Sequence, residues 1–298
     1  MTNGQAVIAV DLGGTKISVA LIDAAGKISG RRKRLLERGN VSGCIAQIAE
    51  EISATARACD YPVEQIRAAG VIVPGIYFAE SGNVWAPNIW GDEQVALRSE
   101  LEQVLKMPAV IDSDRAGYVL GEHWMGAARG LNNVVFLSVG TGIGAGIIAG
   151  GRLLRGSGDI AGAVGWFAFA PEQREIHKLV GCWEAEAAGP ALARRARAQS
   201  AEEVVAAARR GDREANQAIT ETAEYLAMGV ANIVSMLNPE MIVLGGGLMQ
   251  AGDLFLESIT NRMTTWAQPI AARQVRIELT KLGEDAGLFG AAHLALNL

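Results

Sequence analysis

Two segments of the 298-residue chain repeat one pattern, and that repeat constrains the fold more than any other feature. The first runs from "AVIAV" (6–10) through the turn "DLGGTK" into "ISVALID" (17–23), then through "AAG" into "KISGRRKRLL". The second, "VVFLSVGTGIGAGIIAGGRLL" (134–154), again reads apolar run, Gly-Thr turn, apolar run, Gly-Gly turn, apolar run. Gly14-Thr15 aligns with Gly140-Thr141. Short apolar runs joined by glycine turns predict antiparallel strands, and two copies predict an internal duplication. Between and after the copies, Ile45, Ile48 and Ile52 mark one face of a helix over 43–58, and a long helix over 213–237 ends at "NPE". Single strands are expected at 68–73, 108–112 and 241–244. The expected fold class is α/β, in two lobes with a cleft between them. The lobes are drawn at 1–113 and 114–284, with a final helix over 285–298 packing back on the first.

Composition excludes several classes. A net charge of −5 gives no global attraction for nucleic acid or an anionic membrane surface. The Arg-rich segment 191–212 interleaves acids with its bases and reads as the solvated face of a helix pair. The uncharged run Val134–Gly151 has membrane length, but repeated glycines, Ser138 and Thr141 break it. The N-terminus has no basic, signal-like region, and three scattered cysteines suit a reducing compartment. A cytoplasmic protein without nucleic-acid or membrane partners is expected.

The glycine turns carry the first chemical signal. Backbone N–H groups in such turns can converge on phosphate oxygens, and a Thr hydroxyl adds a donor. Asp11, ending an apolar run beside the first turn, is placed to hold Mg²⁺ through water. A third turn, Gly245-Gly246-Gly247, follows the apolar run "MIVL" and suits an adenosine lying against backbone. Any one turn alone reads better as a plain hairpin; three in one chain favour a nucleotide site. After the apolar run "PAVI" come Asp112 and Asp114. A carboxylate there can serve as the base for phosphoryl transfer to a hydroxyl, or it can cap the helix starting near Arg115.

In order along the chain, "AVDLGGTKISVALID", "VIVPGIY", "APNI", "IDSDRAGYVLGE", "LSVGTGIGAGII", "GCWEAEAAGPAL" and "IVLGGG" resemble the motifs of ROK-family sugar kinases and repressors, over about residues 6 to 292. The resemblance implies a two-lobed actin-like, ribonuclease H-like ATPase fold, ATP with Mg²⁺ as cofactors, a small-molecule sugar as substrate, and a homodimer. It implies nucleotide contacts from Asp11, Gly13, Gly14, Thr15, Lys16, Gly140, Thr141, Gly142, Gly245, Gly246 and Gly247. By motif position Asp114 is the general base, and the sugar-contacting Asn falls on Asn88. Trp85 and Trp90 flank Asn88 and could stack on a sugar ring or belong to the core. The Asn positions around the base are Ser113 and Ala116 here.

The stretch 162–186, "GAVGWFAFAPEQREIHKLVGCWEAE", departs most from the family. Similar proteins have Glu and His where this chain has Ala163 and Trp166, and three Cys with that His bind a structural zinc. Here Glu175 and His177 stand at the first two Cys positions, and only Cys182 and Glu184 are as expected. One His, one Cys and one carboxylate fall short of the four ligands of a closed zinc site. The stretch reads as a former metal loop, with no zinc expected, that keeps Glu184 on the sugar side.

Together these features imply an ATP-dependent sugar kinase acting on a hexose or hexose derivative, with the 6-OH as acceptor by resemblance. Ala163, Trp166 and Ser113 alter the contacts around the sugar, so a hexose modified at C1 or C2 is expected to serve better than glucose. Replacement of the lost contacts by other groups or water is the equal alternative. A regulator of the same family would carry an additional N-terminal helix-turn-helix, and the first strand already begins by residue 6. A catalytically weak sugar or nucleotide sensor is the remaining alternative.

Overall fold

A computed structural model describes residues 6–37 and 40–298. The first five residues, part of the N-terminal stretch without a signal-like region, lie outside that description. The chain forms two units. One takes the described residues through Arg129 together with Arg155–Ile160 and Glu284–Leu298; the other takes Gly130–Leu154 and Ala161–Gly283. The expected second lobe begins at 114, whereas helix Asp114–Trp124 stays with the first unit.

Each unit is built on one five-stranded sheet. The first holds β1 (Ala6–Leu12), β2 (Lys16–Asp23), β3 (Ile28–Leu35), β4 (Ala69–Val73) and β5 (Ala109–Ser113), in the order β3-β2-β1-β4-β5. The second holds β6 (Val134–Val139), β7 (Ile143–Ala149), β8 (Arg152–Leu153), β9 (Met241–Gly245) and β10 (Arg276–Leu279), in the order β8-β7-β6-β9-β10. The two orders are the same permutation, three antiparallel strands followed by two parallel ones. The repeated meander is thus a duplication of the whole sheet.

The central strands are buried on both faces, which is why they read as unbroken apolar runs rather than alternating ones. Each fully buried Ile or Leu in them contributes about 1.5–3 kcal/mol. Strand β3 is the sheet edge, and its consecutive cations pair outward: Arg31 with Asp285, Arg32 with Glu51, Lys33 with Glu284 and Arg34 with Glu50. Helix Val41–Ala58 is capped by Asn40, whose side chain accepts from Gly43 N. Helix Arg213–Leu237 is capped by Asp212 and stops where Asn238 turns left-handed at φ 43°. The final helix, Ala286–Leu296, packs on β1, β4 and helix Asp114–Trp124. The membrane-length run Val134–Gly151 is two strands and their turns, and no helix among the described residues is long and apolar enough to cross a membrane.

Candidate active site

In the first unit, three local features converge. The β1–β2 hairpin closes with Gly13 N donating to Lys16 O at 2.9 Å, which leaves Asp11 at the end of β1 beside the turn. Gly14 sits beside Asn88: a Cβ on Gly14 would lie 3.8 Å from that of Asn88. Asn88 is exposed on the short helix Pro87–Trp90, next to a three-stranded sheet that sequence reasoning did not anticipate. Its neighbour Trp90 packs against the core. Helix Asp114–Trp124 starts at the end of β5.

The two carboxylates of "IDSDRAG" have different fates. Asp112 is buried and gripped by both guanidinium nitrogens of Arg155, at 3.0 and 2.6 Å. Asp114 accepts from Arg115 N, its immediate neighbour, at 2.7 Å. The expected alternative, Asp114 as helix cap, is not what the chain adopts. Ser113 is the N-cap, accepting from Ala116 N at 3.3 Å, and Asp114 is the first helical residue. Ser113, expected at the sugar, is therefore buried and committed to the backbone.

Burial pushes Asp114 up to about 6, against the lowering pull of Arg115. Burial, and after it the charge of Asp114, pushes Asp11 up to about 7; Lys16 and Lys33 only partly offset this. Tyr118, one turn along the helix, is raised by Asp11 first, then by burial and Asp114. Asp11, Asp114 and Tyr118, all half-buried, thus lie close enough to raise one another's pKa: Asp114 raises Asp11, and both raise Tyr118. Gly287 makes room for Asp11, since a Cβ there would lie 2.4 Å from Asp11 Oδ2. Two mutually repelling carboxylates with hard oxygen donors fit Mg²⁺, which takes one or two protein carboxylates and fills its shell with water and phosphate.

In the second unit, Gly140, Thr141 and Gly247 line one cavity of about 610 Å³. The Gly140 turn is held from both sides: Gly140 N donates to Gly142 O at 2.9 Å, and Gly140 O accepts from Gly189 N at 2.7 Å. Gly246 adopts φ 92°, and a Cβ there would meet Val139 O at 2.5 Å, so the third turn requires glycine. The wall opposite the turns comes from helices Gly189–Arg195 and Ala201–Arg209, through Ala193, Glu202, Val205 and Arg209. Sequence reasoning treated that helix pair as solvated surface only and missed its inner face. The small residues at 193, 201 and 206 on the cavity side were the available signal.

Glu184, Ala163 and Trp166 also gather in the second unit. Glu184 Oε2 accepts from Ile143 N at 2.7 Å, directly beyond the Gly140-Gly142 turn. Burial raises its pKa, and the Ile143 bond lowers it. Trp166 is 59% exposed at the end of the turn Val164–Trp166. The expected remnants of a metal loop are dispersed in use. Glu175 pairs with Lys178 at the surface, while His177 Nε2 lies 3.1 Å from Arg174 Nε and 3.3 Å from Glu186 Oε1. Among the described residues no group of three or more His, Cys, Asp or Glu side chains is arranged to hold a metal ion.

The chain is similar to known proteins over nearly its whole length. The ROK family profile matches residues 7–297. A glucokinase of Thermotoga maritima is 32% identical over 97% of this chain and 96% of its own. An N-acetylmannosamine kinase of Escherichia coli is 31% identical over 97% of this chain and 98% of its own. A solved ROK family glucokinase from Streptomyces griseus, in complex with glucose and AMPPNP, is 28% identical and superposes with a TM-score of 0.82 over 98% of this chain and 100% of its own. Fold, duplicated sheet order and family profile agree over nearly the whole length, and this chain, an actin-like α/β protein, belongs to the ROK family.

Proposed function

We propose that this chain is an ATP-dependent sugar kinase, with Asp114 as general base and the 6-OH of a hexose or hexose derivative as acceptor. The observation that carries the reading is the contrast between Asp112, closed off by Arg155, and Asp114, which heads helix Asp114–Trp124 and accepts from the neighbouring Arg115 N–H. A pKa of about 6 leaves Asp114 ionised at neutral pH yet basic enough to accept a proton. In the transfer the sugar hydroxyl oxygen bonds to the γ-phosphorus, its proton goes to Asp114, the bond to the β-phosphate oxygen breaks, and ADP leaves. Mg²⁺, when bound, neutralises charge on the β- and γ-phosphates. Asp11 would hold it, with Asp114 nearby. Gly140, Thr141 and Gly247 would cradle the nucleotide in the second unit's cavity, and Glu184, Ala163 and Trp166 would meet the sugar. The glucokinase and N-acetylmannosamine kinase relatives support this substrate class.

A second reading, sugar binding without turnover, is favoured by Ser113 serving as a cap and by the absence of polar side chains at Ala163 and Trp166. ADP release measured across a panel of hexoses, amino sugars and glycosides separates the two. A sugar that binds and releases no ADP would favour the sensor.

A further inference from the structure

Helix Cys182–Ala187 carries working groups on two sides. Glu184 reaches the backbone N–H of Ile143, while Trp183 and Glu186 are tied into other elements. The Trp183 ring is fully buried, stacked on Phe167 at 5.8 Å and 9°, and met edge-on by Phe169 at 6.1 Å and 75°. Its Nε1 donates to Tyr225 O at 2.8 Å. The ring lies so close to helix Arg213–Leu237 that a Cβ on Gly229 would be 2.0 Å from Trp183 Cζ2. Glu186 pairs with Arg174, lies 3.3 Å from His177 Nε2 and 3.5 Å from Arg195 Nη2. Arg195 in turn donates to Glu186 O at 2.9 Å and Thr222 Oγ1 at 2.7 Å, and sits over the Tyr225 ring at 5.2 Å.

These contacts fasten the stretch 163–187 to itself, to the long helix and to Arg195, which is itself tied to the long helix. The same stretch presents Ala163, Trp166 and Glu184. The zinc that the family resemblance implies for this loop does not fit its residues, because His177 lies between Arg174 and Glu186 and Glu175 faces solvent.

We propose that Trp183 and Glu186 are positioning residues: a metal-independent aromatic and ionic cluster that sets Glu184 and the Ala163–Trp166 turn for the sugar. The identity of the ligand rests on the kinase reading; the positioning does not. A packed ring restricts rotation of the helix, and a carboxylate shared among two guanidinium groups and an imidazole restricts its translation. A misplacement of about 1 Å at such a site costs on the order of 100-fold.

The test uses Glu186→Gln, which keeps shape and removes charge, and Trp183→Phe, which keeps stacking and removes the bond to Tyr225. Amide hydrogen exchange over 163–181 should accelerate in both variants, while exchange in the final helix stays unchanged. The KM for the best substrate among glucose, N-acetylmannosamine and methyl glucoside should rise about 10- to 100-fold, with AMPPNP affinity within about twofold of wild type. Sugar and AMPPNP affinities falling together would assign the cluster to general folding and overturn the proposal. Unchanged exchange and KM in both variants would overturn it as well. So would one tightly held zinc per chain whose chelation loosens the same segment. If wild type phosphorylates none of the three sugars, the kinase reading fails separately. Exchange over 163–181 and equilibrium binding of those sugars then decide the positioning claim.

Discussion

Arg155 Nη2 lies 2.6 Å from Asp112 Oδ2 and Nη1 lies 3.0 Å from Oδ1, so one guanidinium closes off one of the two carboxylates at the end of β5. Asp112 keeps only 3% of its side-chain surface and Arg155 keeps 38%. Burial still outweighs the guanidinium and holds Asp112 above the ordinary carboxylate range. Arg155→Met should therefore strand a buried carboxylate and cost about 3 kcal/mol, the low end for a broken buried pair because Arg155 is partly solvated. The double variant Asp112→Leu/Arg155→Met should recover most of that loss. Urea unfolding of wild type, single and double variants gives the comparison; a double variant no more stable than the single one would show that the pair does not act as a unit.

Removing the base should separate chemistry from binding. Asp114→Asn should lower turnover by about 10²- to 10⁴-fold while AMPPNP still binds. In wild type the base must be ionised, so kcat/KM should hold above a pH of about 6 and fall tenfold per unit below it. Steady-state rates across pH, with nucleotide affinity measured in parallel, check both statements. A variant retaining more than about a tenth of wild-type turnover would remove Asp114 from this role.

The same carboxylates predict an unusual stability profile. In the unfolded chain both titrate near 4. In the folded chain burial lifts Asp114 to about 6 and Asp11 to about 7, so the folded state holds their protons more tightly. Their contribution to stability is complete below about pH 4 and is lost as pH rises toward 7. Asp11→Asn cannot titrate at that position and should lose less Tm than wild type between about pH 5 and pH 7.5. Calorimetry of the two proteins at matched ionic strength reads the difference, and parallel curves would show that folding does not raise the pKa of Asp11.

Gly246 and Gly247, adjacent in the turn after β9, should behave oppositely. Gly246 has φ 92° and no room for a Cβ, so Gly246→Ala should destabilise the protein and impair nucleotide binding together. Gly247 has a helical φ of −59°, and a Cβ there meets nothing within 4 Å. Gly247→Ala should leave stability unchanged or raise it by about 0.4–1 kcal/mol, yet weaken AMPPNP because the methyl group enters the cavity. Thermal melts and AMPPNP titrations of the two variants distinguish the backbone requirement from the ligand requirement.

Sugar choice should follow the two departures near Glu184. With Ala163 and the exposed Trp166 in place, hexoses modified at C1 or C2 should show higher kcat/KM than glucose, and Ala163→Glu/Trp166→His should shift preference toward glucose. Glucose as the best wild-type substrate would contradict the first statement. An unchanged preference in the double variant would show that these two positions are not the selectors.

Features encoded at short range were legible in the sequence. The glycine turns, the repeated meander, the strands expected at 68–73, 108–112 and 241–244 and found at 69–73, 109–113 and 241–245, and the capped helices all depend on neighbours within a few residues. Glycine permissiveness and apolar period act at that range, and motif order identified the family. Tertiary structure decided what long-range partners decide. Which of Asp112 and Asp114 was taken up by a guanidinium depended on Arg155, and Ser113, not Asp114, became the cap. The raised pKa of Asp11 came first from burial and then from Asp114 at another strand end, with Gly287 near the C-terminus leaving the space. The inner face of helices Gly189–Arg195 and Ala201–Arg209 became a cavity wall because the turns of β6 and β9 were brought against it. Burial and charge pairing are properties of surroundings assembled from distant parts of the chain, and a run of residues carries no record of which distant group will arrive.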